Sequence, residues 1–174
     1  MGTFNKSEDT IFRKSPVIFV VTGTQAPFDR LLSILDTWAS KQGKYTVIAQ
    51  MANSEINFKN MTCFDYLDPD VFNEYFNNAD VIIGHAGMGT IITALENEKK
   101  LVVFPRLVKY NEHRNEHQLY TAQGFDKLGL INIAYNENEL LKYLDNLHSI
   151  PKKKRINKQA EQKLINTLYT FINK

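Results

Sequence analysis

One stretch constrains the fold more than any other: Ala79 to Thr90, ADVIIGHAGMGT. Val81-Ile82-Ile83 is an uninterrupted apolar run, which fits a strand covered on both faces rather than one. The run stops at Gly84. His85, Gly87, Gly89 and Thr90 follow, and then a helix-compatible segment from Ile91 to Glu96. The pattern reads as a buried strand that delivers a small glycine-lined turn to the N-terminus of a helix. Such a turn leaves backbone N–H groups bare beside the positive end of a helix dipole, which suits phosphate. The expectation is that it holds the diphosphate of a nucleotide. His85 reads either as a donor to that phosphate or as the partner of a loop carbonyl. Thr90 reads as a helix cap or a second phosphate contact. The spacing is neither G-x-G-x-x-G nor a P-loop, because no Gly-Lys-Ser/Thr follows.

The same strand–turn–helix unit recurs along the chain. Pro16 to Thr22 is a continuous apolar run ending in Gly23-Thr24-Gln25, a tight turn offering a second set of N–H donors. Pro27 suits the first turn of a helix, in which Phe28, Leu31, Leu32, Leu35 and Trp38 repeat at helical spacing. Gly43 reads as the cap that ends it. Tyr45 to Gln50 is a second strand and Phe58 to Phe64 a short third. Pro69 to Asn77 reads as a helix with Val71, Phe72, Tyr75 and Phe76 turned inward. Beyond the glycine turn, Lys100 to Pro105 is a buried strand, Arg106 to Glu112 a polar loop, and about Asn115 to Lys127 a helix ended by Gly129. Leu130 to Ala134 is a last strand and Asn138 to Leu147 a helix. After Pro151, Lys152 to Ile172 reads as a basic amphipathic helix with Ile156, Ala160, Leu164, Leu168 and Phe171 on one face.

Alternating strands and helices of this kind predict an α/β fold: a Rossmann-like, doubly wound parallel sheet. Residues 1–15 read as a tail, 16–150 as the domain and 151–174 as the C-terminal helix. Ligands in such sheets sit at the carboxyl ends of the strands, near a topological switch point. Gly23-Thr24, Gly84 to Thr90 and Arg106 to Gln118 all follow strands, so they can share one rim.

Composition narrows the function classes. At 174 residues, with 43% hydrophobic and 23% charged residues, the chain fits one globular domain with a full core. The net charge of +2 gives no argument for nucleic acid. Cys63 stands alone, which excludes an internal disulfide and a cysteine zinc cluster. No apolar run approaches the roughly 18 residues of a membrane span, and the polar N-terminus lacks a signal region. The expectation is a cytoplasmic chain that meets a membrane through a partner. The Lys152 to Arg155 cluster reads as a solvated helix start, with anionic headgroups as the alternative.

The segment Lys109 to Gln118, KYNEHRNEHQ, is dense in polar groups. His113, Glu116 and His117 match H-x-x-E-H, so a zinc hydrolase is one reading. Against it, the pattern straddles a loop and a helix start, whereas such motifs lie within a helix. A solvated helix N-terminus explains Glu112 and Glu116 through the dipole but not two histidines and a glutamine. A bound sugar needs several hydrogen-bonding groups around its hydroxyls, and the segment supplies them.

Together the three pieces resemble the donor-binding half of the family 28 glycosyltransferases, which have the two-domain GT-B architecture. The matching features are Gly23-Thr24 followed by Phe28-Asp29, the Ala79-Asp80 strand leading to His85-Ala86-Gly87-x-Gly89, and a strand ending in Pro105 before Asn115-x-His117-Gln118. The likeness covers about Val17 to Ile133. It is nearest to the small donor-binding subunits of bacterial two-subunit transferases of exopolysaccharide and capsule synthesis. The eukaryotic small subunit of the dolichol-linked N-acetylglucosamine transferase is more distantly similar.

The resemblance implies a UDP-sugar as donor substrate, no separate cofactor and no metal. Gly23, Thr24, His85, Gly87, Gly89 and Thr90 would face the diphosphate, with His85 as candidate catalytic residue. Phe64 would pack the uracil, and Glu116, His117 and Gln118 would meet the donor sugar. Related enzymes carry a ribose-binding Glu in the helix after the glycine turn. The matching position here is Thr93, with Glu96 one turn later, so the chain departs from the pattern. A two-domain enzyme needs roughly 300 residues. In the family that this chain resembles, a separate membrane-anchored subunit supplies the acceptor half and the lipid-linked acceptor, and the resemblance implies the same here, at the inner face of the membrane. The implied reaction is inverting hexose transfer to a lipid-linked oligosaccharide in polysaccharide biosynthesis, with backbone N–H groups and a helix dipole stabilising the leaving group. A non-catalytic adaptor that stabilises the membrane partner is the alternative from a different class.

Overall fold

The computed structural model of the chain describes residues 15–153 and 155. The tail expected at 1–15, apart from Ser15, and nearly all of the basic helix expected at 152–172 lie outside the described residues. Six strands form one sheet: β1 (Val17–Val21), β2 (Thr46–Gln50), β3 (Thr62–Phe64), β4 (Val81–Gly84), β5 (Lys100–Val103) and β6 (Asn132–Ile133). Every pairing is parallel, and the strand order is β3-β2-β1-β4-β5-β6. Helices α1 (Asp29–Ala39), α2 (Pro69–Asn78), α3 (Met88–Glu96), α4 (His117–Lys127) and α5 (Glu137–Asp145) make the crossovers and the closing helix.

The apolar runs are continuous because side chains alternate between two covered faces. Ile18 and Val20 of β1 pack with Leu31, Leu32, Leu35 and Trp38 of α1 and with Leu140 and Leu144 of α5. Val17, Phe19 and Val21 enter the second core with Phe76 of α2, Ile91 and Leu95 of α3 and Ala122 of α4. Each such large side chain contributes roughly 1.5–3 kcal/mol of burial. Trp38 also donates its indole N–H to Asp145 Oδ1 at 3.0 Å, tying α1 to α5.

Element boundaries differ from the sequence expectation where caps decide them. α1 closes at Ala39 on Ser40, short of Gly43, and Pro27 precedes it, because Phe28 is the N-cap. α2 has the expected proline at its start, after Asp68, whose side chain accepts the Asp70 N–H at 3.0 Å. α3 starts at Met88, three residues before Ile91, with Gly87 as its N-cap. Thr90 therefore lies inside the helix and caps nothing. α4 starts at His117, and Asn115 instead accepts the His117 N–H through Oδ1 at 3.1 Å. Among the described residues, no helix is long and apolar enough to cross a membrane.

The chain runs outward from β1 to β3 on one side and from β4 to β6 on the other. The direction reverses between β1 and β4, where the first crossovers part and leave a crevice at the strands' carboxyl ends.

Candidate functional site

A cavity of about 680 Å³ occupies this crevice. Three segments build it. The β1–α1 turn contributes Thr22 to Ala26, the β4–α3 turn and first helical turn contribute His85 to Thr90, and the segment after β5 contributes Arg106, Glu112, His113, His117 and Gln118. Gln50, Leu67, Pro69 and Phe72 close the β2–β3 side.

The start of α3 supplies the donors. Gly87 is extended, at φ −81° and ψ 131°, and no side chain caps the helix. Ile91 N–H reaches the Gly87 carbonyl at 3.1 Å. The N–H groups of Met88, Gly89 and Thr90 precede that bond, so α3 has no carbonyl of its own for them. A Cβ built on Gly89 would meet nothing within 4 Å, so this turn is open to a ligand.

His85 fills the space between the two turns. A Cβ at Gly87 would lie 2.2 Å from its Nε2, and one at Gly23 would lie 2.9 Å from the same atom. Both glycines are thus required by the imidazole that packs on them. Gly23 also has φ +90°, which a side chain disfavours. Burial pushes the His85 pKa down to about 4. Its hydrogen bond to Val21 opposes that shift, and the positive charge of Arg106 adds to it, as does His113. The ring is neutral at pH 7. Its Nδ1 faces the Val21 carbonyl at 3.2 Å, and a carbonyl only accepts, so Nδ1 carries the proton. Nε2 is left as a bare acceptor, and the proton expected for a phosphate is engaged elsewhere.

Arg106, at the carboxyl end of β5, is only 4% exposed. Its Nη2 donates to the carbonyls of Thr22 at 2.8 Å and Ala26 at 2.6 Å, and its Nη1 to that of Pro27 at 2.6 Å. The guanidinium carbon lies 4.5 Å from the centre of the Phe28 ring. Desolvation pulls its pKa down from the usual arginine value, while Glu112 and Asp29 act to raise it. Gln118 Oε1 accepts from the backbone N–H of Ala86 at 3.3 Å and of Arg106 at 3.2 Å. These two backbone donors orient the carboxamide, leaving its NH2 end for a ligand. Glu112 takes a bidentate pair from Arg30, at 2.6 and 2.8 Å, and the Leu107 N–H at 2.9 Å. Arg30 stacks on Phe104 and Tyr110 at 4.2 and 4.7 Å. The long segment after β5 is therefore anchored to α1.

Of the residues singled out in the sequence, Gly23, Thr24, His85, Gly87, Gly89, Thr90, His117 and Gln118 line this one cavity. Two do not. Phe64 stacks on Tyr75 at 5.9 Å and belongs to the aromatic core beside Phe19 and Phe72. Glu116 turns back on its own loop, where Oε1 accepts the Val108 N–H at 3.3 Å and Oε2 is buried with no partner among the described residues. Thr93 and Glu96 lie further along α3, off the cavity lining. The zinc reading fails on geometry: among the described residues no three His, Cys, Asp or Glu side chains gather as a metal site requires. His113 instead pairs its Nδ1 with the Asn115 carbonyl at 3.0 Å. Arg106, Arg30 and the role of Glu112 escaped the sequence reading. A charged residue directly after a buried strand and Pro105 was the available signal for Arg106.

Known proteins bear on this geometry in three ways. A family model, described as the glycosyltransferase family 28 C-terminal domain, matches residues 17–172. The chain is 40% identical over 74 residues to the UDP-N-acetylglucosamine transferase subunit ALG13 of Candida albicans, covering 42% of this chain and 24% of that protein. It is 35% identical over 94 residues to the protein of the same name from Kluyveromyces lactis, covering 52% and 46%. It thus spans less than half the length of these curated relatives. A solution structure of ALG13 superposes with a TM-score of 0.56 at 19% identity, covering 89% of this chain and 95% of that one, which is a likeness of fold. With a family match running from the start of β1 through the whole sheet, the chain belongs to the glycosyltransferase family 28 C-terminal domain family.

Proposed function

We propose that this domain binds the UDP-sugar donor of a glycosyltransferase. The observation that carries the reading is the open first turn of α3, where unpaired N–H groups and the helix dipole meet the cavity at the switch point. The diphosphate lies between this turn and the Gly23-Thr24 turn. Its charge favours protonation of His85, so donor binding draws a proton onto Nε2 and turns the bare acceptor into a donor. The nucleobase takes the apolar end lined by Leu67, Pro69 and Phe72, in place of Phe64. The carboxamide NH2 of Gln118 and the exposed ring of His117 meet the sugar. In transfer, the N–H groups and the dipole stabilise the UDP leaving group as its charge develops.

The acceptor and the base that activates it come from a second module, in line with the subunit names of the curated relatives. Whether that module is membrane-anchored, and which hexose and lipid-linked acceptor are joined, is read from the resemblance to the bacterial two-subunit transferases. Calorimetry of the full chain with UDP and with ADP tests the donor site. Saturable binding of UDP, with ADP weaker by about tenfold or more, is expected. Equal binding of the two, or no binding of UDP, overturns the reading.

A further inference from the structure

Among the described residues, Arg106 is the one charged side chain in the buried class. Burying a guanidinium costs free energy unless its donors are satisfied. Here all three of its hydrogen bonds go to carbonyl oxygens of a single loop, those of Thr22, Ala26 and Pro27. The carbonyl just before them, Val21, faces His85. In a trans peptide the C=O and the N–H of the next residue point in opposite directions. Drawing the Thr22 carbonyl onto the guanidinium therefore aims the Gly23 N–H the other way. Pro27 has no N–H, so its carbonyl is its one polar backbone group, and Arg106 takes it. Among the described residues, the N–H groups of Gly23, Thr24 and Gln25 meet no backbone carbonyl. All three residues line the cavity.

We propose that Arg106 is a positioning residue that sets the polarity of the Thr22–Pro27 loop. It holds the carbonyl oxygens of Thr22, Ala26 and Pro27 on the protein side and so leaves the Gly23 N–H turned to receive an anion, while the Thr24 carbonyl accepts from the Tyr66 hydroxyl instead. It does not itself ligate that anion. A loop without this clamp could rotate a carbonyl into the cavity, where its negative end would repel phosphate. The Gln118 bridge from Arg106 N–H to Ala86 N–H keeps this loop in register with the start of α3. The inference rests on the diphosphate reading given above and adds a residue to it.

The test is amide NMR of the 15N-labelled full chain titrated with UDP, in the wild type, Arg106→Met and Arg106→Lys. In the wild type, the amides of Gly23 to Gln25 and of Met88 to Thr90 are expected to shift together. In Arg106→Met the first set is expected to lose its response while the second keeps it, with affinity down about tenfold or more. A lysine ammonium can reach only part of the carbonyl set, so Arg106→Lys is expected to fall between. Wild-type affinity and shifts in both variants overturn the proposal. So does a folded variant in which both amide sets lose their response equally, since that marks a direct ligand. If Arg106→Met gives no dispersed spectrum, the same comparison of amide sets in Arg106→Lys decides. A wild-type chain that does not respond to UDP overturns the diphosphate reading and this inference with it.

Discussion

The β4–α3 turn takes three residues, His85 to Gly87, to pass from strand to helix, whereas the β1–α1 turn takes seven, Thr22 to Phe28. Both end strands that pair with each other, and both line one cavity. The short turn makes its donors locally. Gly87 is extended and α3 begins beside it, so the free N–H groups follow from the helix start alone. The long turn has no such device. Its helix begins at Asp29, outside the cavity lining, and three of its carbonyls, those of Thr22, Ala26 and Pro27, are held by Arg106, 79 to 84 positions away in the chain. An anion site can therefore be assembled either from the backbone's own geometry or by a distant side chain that orients an irregular loop. The two turns meet at His85, which packs on a glycine from each.

The most disruptive way to break this arrangement is Gly87→Ala. Its Cβ would overlap Nε2 of His85, so the ring must move, at a cost of about 2–3 kcal/mol for overpacking. The φ of −81° is ordinary, so the clash and not the backbone is responsible. Urea denaturation should show much of the loss relieved in Gly87→Ala/His85→Ala compared with the sum of the single changes. Strict additivity of the two would break the link between the turns.

A smaller effect comes from pH. The His85 pKa lies near 4 in the fold and near 6.5 in an unfolded chain. Below pH 6.5 the unfolded chain takes up a proton that the folded one refuses, so the His85 contribution to stability is complete above that pH. It declines as the pH falls toward 4. Between pH 7 and pH 5 the decline is on the order of 2 kcal/mol. Denaturation curves at the two pH values should differ by that much more in the wild type than in His85→Gln. Equal pH dependence in the two proteins would mean that the ring is not held neutral.

The gentlest probe is Gly89→Ala, which sharpens the contrast on the short-turn side. Its Cβ meets nothing, and alanine is favoured over glycine in a helix by up to about 1 kcal/mol. The variant should be slightly more stable on thermal unfolding and should bind UDP several-fold more weakly, because the methyl group stands where a phosphate approaches. Unchanged affinity would place the diphosphate elsewhere on the rim.

Much of the frame could be read from the residues themselves. Runs such as Val17 to Val21 and Val81 to Ile83 are apolar on both sides, and only a strand between two helical layers satisfies that pattern. The helix faces were visible in Leu31, Leu32, Leu35 and Trp38. Errors fell on the boundaries: Thr90 resembles a cap, and Gly43 a terminator, but Gly87 and Ser40 hold those positions. Gly23, Gly87 and Gly89 were correctly placed on one rim, yet for incomplete reasons. Two of them make room for an imidazole, and only Gly89 faces open space. Phe64 and Glu116 misled because a residue's type shows what it can contact and not which way it turns. One joins an aromatic core, and the other bonds the backbone of its own loop.

By itself the amino-acid sequence determined the alternation of strands and helices, the parallel sheet that it requires, and the glycine turns that mark the rim. These depend on local periodicity and on φ/ψ preferences, which neighbouring residues carry. Only the tertiary structure decided the strand order that opens the crevice between β1 and β4. It also decided the neutral state of His85 and the capture of the Thr22, Ala26 and Pro27 carbonyls by Arg106. Each of these depends on what lies across the fold from a residue: desolvation by packed neighbours in one case, and acceptors some 80 positions away in the other. Periodicity along a chain does not encode such pairings, because they exist only once the sheet has brought its carboxyl ends together.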